Sequence, residues 1–170
     1  SVFKVPSTPD RPSQAVLTGL GRIEGELNLI QHGTTVGTNA LLERKGARTL
    51  LITNQGFEDI LEIGRQNRPE LYSLTASRPE ALVDPSHRIG VKERTSWSGR
   101  ELVKLEKKSL DWLRGKVEQI DPEAIAVVLL YSYLNPGPEM RIAEILESIA
   151  KPVSLSHKVL PEFREFERTS

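Results

Sequence analysis

The chain has 170 residues, of which 38% are hydrophobic and 27% are charged, values typical of a soluble globular domain. Its 23 Lys and Arg residues balance 23 Asp and Glu residues, so the net charge is zero, which argues against a general nucleic-acid or membrane-surface binder. The absence of cysteine excludes a disulfide, a Cys-ligated zinc and a thiol nucleophile. No apolar run approaches the ~20 residues of a membrane span and no signal peptide is visible, so we expect a cytoplasmic protein.

The first 25 residues predict two short elements. Residues 2–5 fit a short edge strand, and prolines then interrupt regular structure. A short helix is expected from Gln14 to Leu20, with Asp10 or Ser13 as its cap. The Gly19-Leu20-Gly21 sequence follows a helical pattern rather than a strand, so it is not interpreted as a dinucleotide-binding turn.

The stretch from Leu27 to Lys45 predicts a strand, a polar turn and a helix. Apolar residues end at Ile30, the turn carries Gly33 and two threonines, and helical sequence starts at Val36. A threonine is expected to cap the helix, and Gly46 to close it in a left-handed conformation. Such a turn directs free N–H groups and a positive dipole end at one place, which suits a phosphate or carboxylate, although most such units bind nothing.

The sequence from residue 48 to residue 105 predicts a strand, a helix, a loop and a hairpin. Residues 48–53 are predicted to form a compact apolar strand, and a short helix follows up to Gly64. Residues 65–87 are predicted to form a long irregular loop, and loops of that length are usually functional or disordered. Residues 88–105 allow either a helix starting at Ser98 through a capping box or a hairpin. We favour the hairpin, with strands at 89–93 and 102–105.

The remaining sequence predicts two helices and two strands. Helical spacing begins after Leu105, and residues 124–133 form an almost continuous apolar run, which is typical of a central parallel strand. Pro138 is expected at a helix start, followed by a last strand at 153–156. Residues 162–170 are expected to lead into a further domain. The predicted fold is a single α/β domain over residues 1–170, with a mostly parallel sheet, flanking helices and an antiparallel hairpin.

Several long segments resemble one enzyme family. They are HGTTVGTNALLERKGARTLLIT, GFEDILEIGRQNRPELY, AVVLLYSYLNPGPEMRIAEIL and VLPEFREFERTS. In register from about Lys4 to Ser170, the chain is similar to the N-terminal region of the hydantoinase A and 5-oxoprolinase family. The resemblance implies an actin-like ATPase (ribonuclease H-like) fold. It also implies an ATP-dependent amidohydrolase that opens five-membered lactams or imides, such as hydantoin or 5-oxoproline, after phosphorylation of the carbonyl oxygen.

The resemblance also indicates site residues. The TTVGTN motif places Thr34, Thr35 and Asn39 against phosphate or the substrate ring, with Thr35 also taken as catalytic, and capping alone is the alternative. His32 is a candidate general acid or base, or else a structural hydrogen-bonding residue. Arg65, Gln66 and Arg68 match the GRQ-x-RP stretch. The two arginines suit a carboxylate or phosphate, or else a surface ion-pair cluster with Glu58, Asp59, Glu62 or Glu70.

The chain departs from the family pattern in one respect. The opening strand with an acidic Gly-Gly-Thr phosphate loop is absent, and the segment between Leu20 and Leu27 is shorter than usual. We therefore expect a fragment of a longer protein that folds but does not hydrolyse ATP. No metal ligands are assigned, ATP and Mg²⁺ are expected in the full-length protein, and no cofactor is expected to bind this fragment tightly.

The resemblance leaves three functions and several partners open. The alternatives to the hydrolase are a ketone carboxylase of the same family and a non-catalytic module that docks a partner subunit. Expected partners are a lactam or imide substrate and a hydantoinase B-type subunit or domain, with homo-oligomerisation left open and with neither nucleic acid nor membrane. If Thr34–Asn39 and Arg65–Arg68 face one concave site, the enzyme reading is favoured over the docking module.

Overall fold

The computed structural model describes residues 2–8, 10–25, 28–67, 72 and 80–170. The chain divides into two compact units, Ser1–Gly37 and Thr38–Ser170. None of the helices in the described ranges is long and apolar enough to cross a membrane.

The first unit contains one complete helix, α1, Pro12–Leu20, which buries none of its side chains. The Thr8 hydroxyl donates to the Arg11 carbonyl at 2.7 Å and accepts from the Ala15 N–H at 3.2 Å. Thr8 therefore satisfies the start of this helix, in place of the predicted Asp10 or Ser13, because a side-chain oxygen from the preceding turn reaches a free N–H group.

Both strands predicted in the first unit are wrong for the residues that the structure describes. Residues 2–8 and 28–35 contain no strand, and Leu27 lies outside the described residues. Leu29 and Ile30 are 84% and 54% exposed, so these apolar side chains are not packed in a core. A strand needs a neighbour for its N–H and C=O groups, and no described residue pairs with this segment.

The second unit is an α/β unit that begins with the end of α2. Its elements, in chain order, are α2 Val36–Leu42, β1 Thr49–Asn54, α3 Ile60–Ile63, β2 Arg88–Val91, β3 Arg94–Thr95, β4 Glu101–Val103, α4 Lys107–Ile120, β5 Ala124–Val128, α5 Gly137–Leu146, β6 Val153–Leu155, α6 Ser156–Val159 and α7 Glu165–Thr169. Short 3₁₀ turns occupy Pro85–His87 and Glu147–Ile149.

Four of these strands form one parallel sheet in the order β2-β1-β5-β6. The central strand β1 is buried along almost its whole length, and Leu50 and Ile52 have no exposed surface. Helix α4 buries Leu113 and Val117 in the same core, and helix α5 contributes Ile142 and Leu146. Each such side chain stabilises the fold by about 1.5–3 kcal/mol through burial. The predicted α/β class with a mostly parallel sheet is confirmed.

The hairpin prediction is correct only in part. Strands β3 and β4 pair antiparallel around Gly99, which adopts a left-handed φ of 78°. Residues 88–91, however, pair parallel with β1, because Ile89 and Val91 are buried in the main core. The capping-box helix at Ser98 does not form, and α4 begins at Lys107.

Two element ends also differ from the prediction. Helix α2 ends at Leu42, and Arg44 rather than Gly46 takes the left-handed conformation, with φ of 54°. Strand β5 ends at Val128 although apolar sequence continues. The next two N–H groups donate to side chains, Leu129 to Glu139 at 2.9 Å and Leu130 to Asn54 at 2.7 Å, so they are not available to a strand ladder.

Candidate functional site

The predicted phosphate turn is solvent-exposed. The side chains of His32, Thr34, Thr35 and Asn39 are all exposed. The Thr34 hydroxyl accepts from the Val36 N–H at 3.2 Å, which is a local turn contact at the start of α2. His32, Thr34 and Thr35 belong to the first unit, whereas Asn39 belongs to the second. The common site with the Arg65 segment stays a prediction.

The second predicted segment lines a cleft between α3 and α7. Helix α3 ends at Gly64, whose φ of 51° is left-handed, and the chain then exposes Arg65. Residues Gly64, Arg65 and Asn67 face residues 163–167 across a cleft of about 560 Å³, which we call the α3–α7 cleft. Gln66 adopts φ of 56° and is not among the lining residues, and Arg68 lies outside the described residues.

An ion pair joins the two walls of this cleft. The Arg65 guanidinium donates to the Glu167 carboxylate, and the Arg65 and Glu167 side chains are 51% and 28% exposed. These residues are 102 positions apart, and Glu167 is not one of the nearby acids considered from the sequence. Two separate motifs, GRQ and FERTS, therefore meet in one place.

The α3–α7 cleft also carries a second cation. Arg164 lies over the ring of its neighbour Phe163 at 5.4 Å, and no carboxylate of the described residues forms an ion pair with it. With Arg65, Arg164, Glu165 and Glu167, the ionisable residues lining the cleft sum to zero charge. Arg164 and Asn67 can donate hydrogen bonds to a carboxylate or phosphate, while Phe163 and Phe166 offer apolar surface.

Behind α7, a buried polar network joins that helix to the end of the sheet. Arg168 donates to the Leu129 carbonyl at 3.1 Å and to the Ser132 hydroxyl, and its guanidinium lies 5.6 Å from the Tyr133 ring. Burial lowers the pKa of Arg168, and the Glu139 and Glu165 carboxylates partly oppose that shift. The Arg168 side chain is therefore a fixed structural cation rather than a solvated end of the chain.

Glu139 is the anion of the same network and has no exposed surface. Its carboxylate accepts from Leu129 N–H at 2.9 Å, from Ser156 Oγ at 2.6 Å and from His157 N–H at 3.2 Å. His157 Nδ1 lies 2.6 Å from the second carboxylate oxygen. The Ser132 and Ser156 hydroxyls, 2.9 Å apart, connect Glu139 to Arg168. A buried carboxylate with this many donors is satisfied in place and positions the segment after β5.

A second buried group fills the crevice at the carboxyl ends of the central strands. Asn54 donates to Glu93 Oε2 at 2.6 Å and accepts from Leu130 N–H, while Thr95 donates to Glu93 Oε1 at 2.6 Å. Burial raises the pKa of Glu93, and the hydrogen bonds from Thr95 and Asn54 partly offset this. Strand order reverses between β1 and β5, which is where open α/β sheets often bind ligands. Here the protein's own side chains occupy that position.

Sequence reasoning did not identify these buried residues. The sequence predicts Asn54 in the turn after the strand at 48–53, Glu93 in a hairpin strand, and Arg168 at a domain junction or in a solvated charge run. One signal in the sequence is that Asn54 and Ser132 are polar residues within a few positions of the buried apolar residues of β1 and β5. No group of three or more His, Asp or Glu side chains that could hold a metal ion occurs within the described ranges.

Comparison with known proteins identifies a family. Residues 1–150 match the model of the hydantoinase/oxoprolinase N-terminal region. The chain is 34% identical to the uncharacterized protein MJ0964 of Methanocaldococcus jannaschii, over 99% of this chain and 26% of that protein. It is 30% identical to 5-oxoprolinase of Dictyostelium discoideum, over 94% of this chain and 15% of that protein. It is 29% identical to caprolactamase subunit alpha of Pseudomonas jessenii, over 99% of this chain and 26% of that protein.

Two solved structures share the fold. A nucleotide-free structure of acetone carboxylase, titled as a study of ATP-dependent acetone carboxylation, matches with a TM-score of 0.82 and 27% identity, over 97% of this chain and 27% of that one. The ATP-dependent caprolactamase from Pseudomonas jessenii matches with a TM-score of 0.83 and 28% identity, over 99% of this chain and 27% of that one. The chain thus spans about a quarter or less of the length of these relatives.

Proposed function

Because the chain belongs to the hydantoinase/oxoprolinase family, we propose that it is part of an ATP-dependent amidohydrolase that opens five-membered lactams or imides. The observation that carries this proposal is the α3–α7 cleft, in which two family-like segments meet around Arg65 and Glu167. The actin-like ATPase fold belongs to the same proposal. Its support is the likeness to the solved structures of acetone carboxylase and caprolactamase, both of which are ATP-dependent enzymes.

The chemistry explains why such an enzyme needs a phosphoryl donor. An unstrained cyclic amide is a poor electrophile, and ATP supplies a phosphoryl group that turns the carbonyl oxygen into a leaving group. One water can then add at the carbon, and the C–N bond breaks as the nitrogen takes up a proton, which leaves an acyl phosphate. A second water would hydrolyse this acyl phosphate to the carboxylate and inorganic phosphate. The residues' part in this scheme is to hold the negatively charged groups in line and to neutralise them.

In this proposal, the α3–α7 cleft binds the anionic part of the substrate or the phosphate. Arg65 is held in place by Glu167, and Arg164 and Asn67 supply further donors. Gln66 and Arg68 are proposed to extend the same donor set. In the exposed turn, Thr34, Thr35 and Asn39 are proposed to contact phosphate or the substrate ring, with His32 as the general acid or base.

The described residues fit a phosphate better than they fit a metal ion. They offer unpaired donors at Arg164 and Asn67, yet they contain no cluster of three potential metal ligands. Mg²⁺ would therefore need ligands from outside the described residues. A hydantoinase B-type partner, a cytoplasmic location and inactivity of the isolated 170-residue chain are parts of the same proposal. The caprolactamase relative is the alpha subunit of its enzyme, which supports a partner.

The second candidate is a ketone carboxylase, and the match to acetone carboxylase favours it specifically. The two candidates differ in what must accompany ATP. A hydrolase should release ADP when given a lactam alone, whereas a carboxylase should require a ketone together with bicarbonate. A non-catalytic docking module should show neither activity in any full-length protein that carries this region.

The decisive experiment is an ADP-release assay on a full-length protein that carries this region. It should be supplied in turn with 5-oxoproline, hydantoin, caprolactam, and acetone with bicarbonate. We expect lactam-dependent ADP release, and we expect Arg65→Ala to lower it by about 10- to 100-fold, as loss of a charge-assisted hydrogen bond in the transition state would. Thr35→Ala should lower it too.

Arg114→Ala is the matched control, because Arg114 also forms an exposed ion pair, with Glu118 on α4, and lines neither the α3–α7 cleft nor the predicted turn. Unchanged turnover in both Arg65→Ala and Thr35→Ala, with normal thermal stability, would contradict the site assignment. ADP release only with acetone and bicarbonate would replace the hydrolase by the carboxylase.

A further inference from the structure

A second cleft lies beside β2, an edge strand of the sheet, where β2 ends and α4 begins. Its volume is about 330 Å³, near the lower end of the range for small-molecule sites. Three segments line it: Gln55 after β1, Gly90–Lys92 at the end of β2, and Lys108, Ser109 and Trp112 on the first turns of α4. We call it the β2–α4 cleft. It shares no lining residue with the α3–α7 cleft.

The β2–α4 cleft is positively charged. Lys92 and Lys108 are the only ionisable residues that line it, and both are exposed. Among the described residues, neither lysine forms an ion pair or a side-chain hydrogen bond. In a chain of zero net charge, two unpaired cations facing one concavity make it a site for an anion. The α3–α7 cleft differs because the charges of the two arginines and the two glutamates that line it sum to zero.

Trp112 gives the β2–α4 cleft an aromatic wall. Its neighbour Leu113 is fully buried in the core, so Trp112 itself lies off the core face of α4 and remains 49% exposed. Lys108 precedes Trp112 by four residues, which places both side chains on the same face of the helix. A half-exposed indole provides a flat surface on which a ring can stack.

The backbone of the opposite wall is tightly fixed. A Cβ atom at Gly90 would lie 1.8 Å from Glu58 Oε1 and 2.8 Å from the Gln55 Cα, so only glycine fits at this position. The Glu58 carboxylate accepts from the Gly56 N–H at 2.7 Å and does not line the cleft. Lys92 therefore extends from a rigid strand end and Lys108 from a helix, so the backbone positions that carry the two cations are fixed.

We propose that the β2–α4 cleft binds an aromatic phosphate monoester, with its ring on Trp112 and its phosphate between Lys92 and Lys108. A dianionic phosphate matches the two ammonium groups, and Gln55 and Ser109 can donate further hydrogen bonds. A nucleoside monophosphate has this chemistry, and so does a simple aryl phosphate. This site stands apart from the proposed lactam chemistry.

Tryptophan fluorescence can test the proposal, because the chain contains only two tryptophans. A Trp97→Phe background leaves Trp112 as the sole reporter. The probes are AMP, phenyl phosphate, inorganic phosphate and adenosine. We expect AMP, phenyl phosphate or both to quench the fluorescence saturably and to bind about tenfold or more tightly than phosphate or adenosine. Binding by both would show that an aryl ring suffices, and binding by AMP alone would show that a purine nucleoside is required.

Substitutions then separate charge from stacking. Lys92→Gln and Lys108→Gln should each weaken binding of the ring phosphate by about tenfold, whereas Lys107→Gln, one residue outside the cleft on the same helix, should change it less than twofold. Measured by calorimetry, Trp112→Leu should weaken binding of the ring phosphate but not binding of inorganic phosphate. All four side chains are exposed, so thermal unfolding should be unchanged. The proposal is overturned if no probe saturates, if phosphate alone binds as tightly as the ring phosphates, or if Lys107→Gln has the same effect as Lys108→Gln.

Discussion

Two arginines close to helix α7 have opposite environments. Arg168 is 8% exposed and is fixed by Leu129, Ser132 and the Tyr133 ring, whereas the Arg65 side chain is 51% exposed and is held by the single carboxylate of Glu167. The first environment is typical of a structural cation, because its loss leaves buried partners unsatisfied. The second environment leaves N–H groups of Arg65 able to donate hydrogen bonds to a ligand in the α3–α7 cleft. The buried network should therefore control stability, and the α3–α7 cleft should control ligand binding.

The largest expected effect tests the buried side of this comparison. Glu139→Ala removes the carboxylate that four donors contact and leaves Arg168 without its nearby anion. We expect a loss of about 3–5 kcal/mol in the free energy of unfolding, measured by urea denaturation. Glu144→Ala, an exposed position on the same helix α5, is the control and should change stability by less than about 0.5 kcal/mol. Equal effects of the two variants would show that the network is not a source of stability.

The next effect depends on pH and concerns Glu93. Because burial raises its pKa above the ordinary value of 4.5, the folded state binds a proton more tightly than the unfolded state. The Glu93 contribution to stability is therefore present below about pH 4.5 and is lost as pH rises through the folded-state pKa. We expect Glu93→Gln to gain stability relative to the native chain as pH increases above 4.5.

Urea denaturation between pH 4 and pH 8 can measure this difference. The same measurement on Glu144→Gln, at an exposed position on helix α5, is the control for replacing a glutamate by glutamine. If the difference in free energy of unfolding between Glu93→Gln and the native chain stays constant from pH 4 to pH 8, the raised pKa of Glu93 is contradicted.

The smallest expected effect tests the open side of the comparison. Arg65→Ala should lower the free energy of unfolding by less than about 1 kcal/mol, because the pair with Glu167 is partly exposed and is screened by solvent. Its large effect should instead appear in the ADP-release assay. If Arg65→Ala lost as much stability as Glu139→Ala, Arg65 would be a structural residue like Arg168. Its assignment as a ligand-binding residue of the α3–α7 cleft would then be contradicted.

The parts of the fold that depend on local apolar patterns could be predicted from the sequence. Strands β1 and β5 follow from compact apolar runs, and α4 follows from the spacing of Leu110, Leu113 and Val117. The pattern failed at residues 28–30, where apolar side chains are exposed, because strand formation needs a pairing neighbour that a local pattern cannot supply. The hairpin was only half correct for the same reason, since Ile89 and Val91 pair with a strand more than 30 positions earlier.

The candidate site was less predictable than the fold. The sequence singled out Arg65 by its motif, but the partner Glu167 is 102 residues away, and only folding brings the two together. Glu139 followed a helix-start proline and had the pattern of a surface acid, yet it is completely buried because Ser156 and His157, from the end of β6 onward, supply its hydrogen bonds. Such long-range partners leave no periodic signal in a single sequence.

The anchoring of Arg168 has a practical consequence for where recombinant versions of this region should end. The family match ends at residue 150, but a version trimmed to that limit would discard the edge strand β6 and the cation that accompanies Glu139. A stop codon after residue 163 would keep the strand and still leave Ser132 and the Leu129 carbonyl without their guanidinium donor. Recombinant versions should therefore extend through Thr169, since shorter ones would expose a polar cavity and favour aggregation or proteolysis.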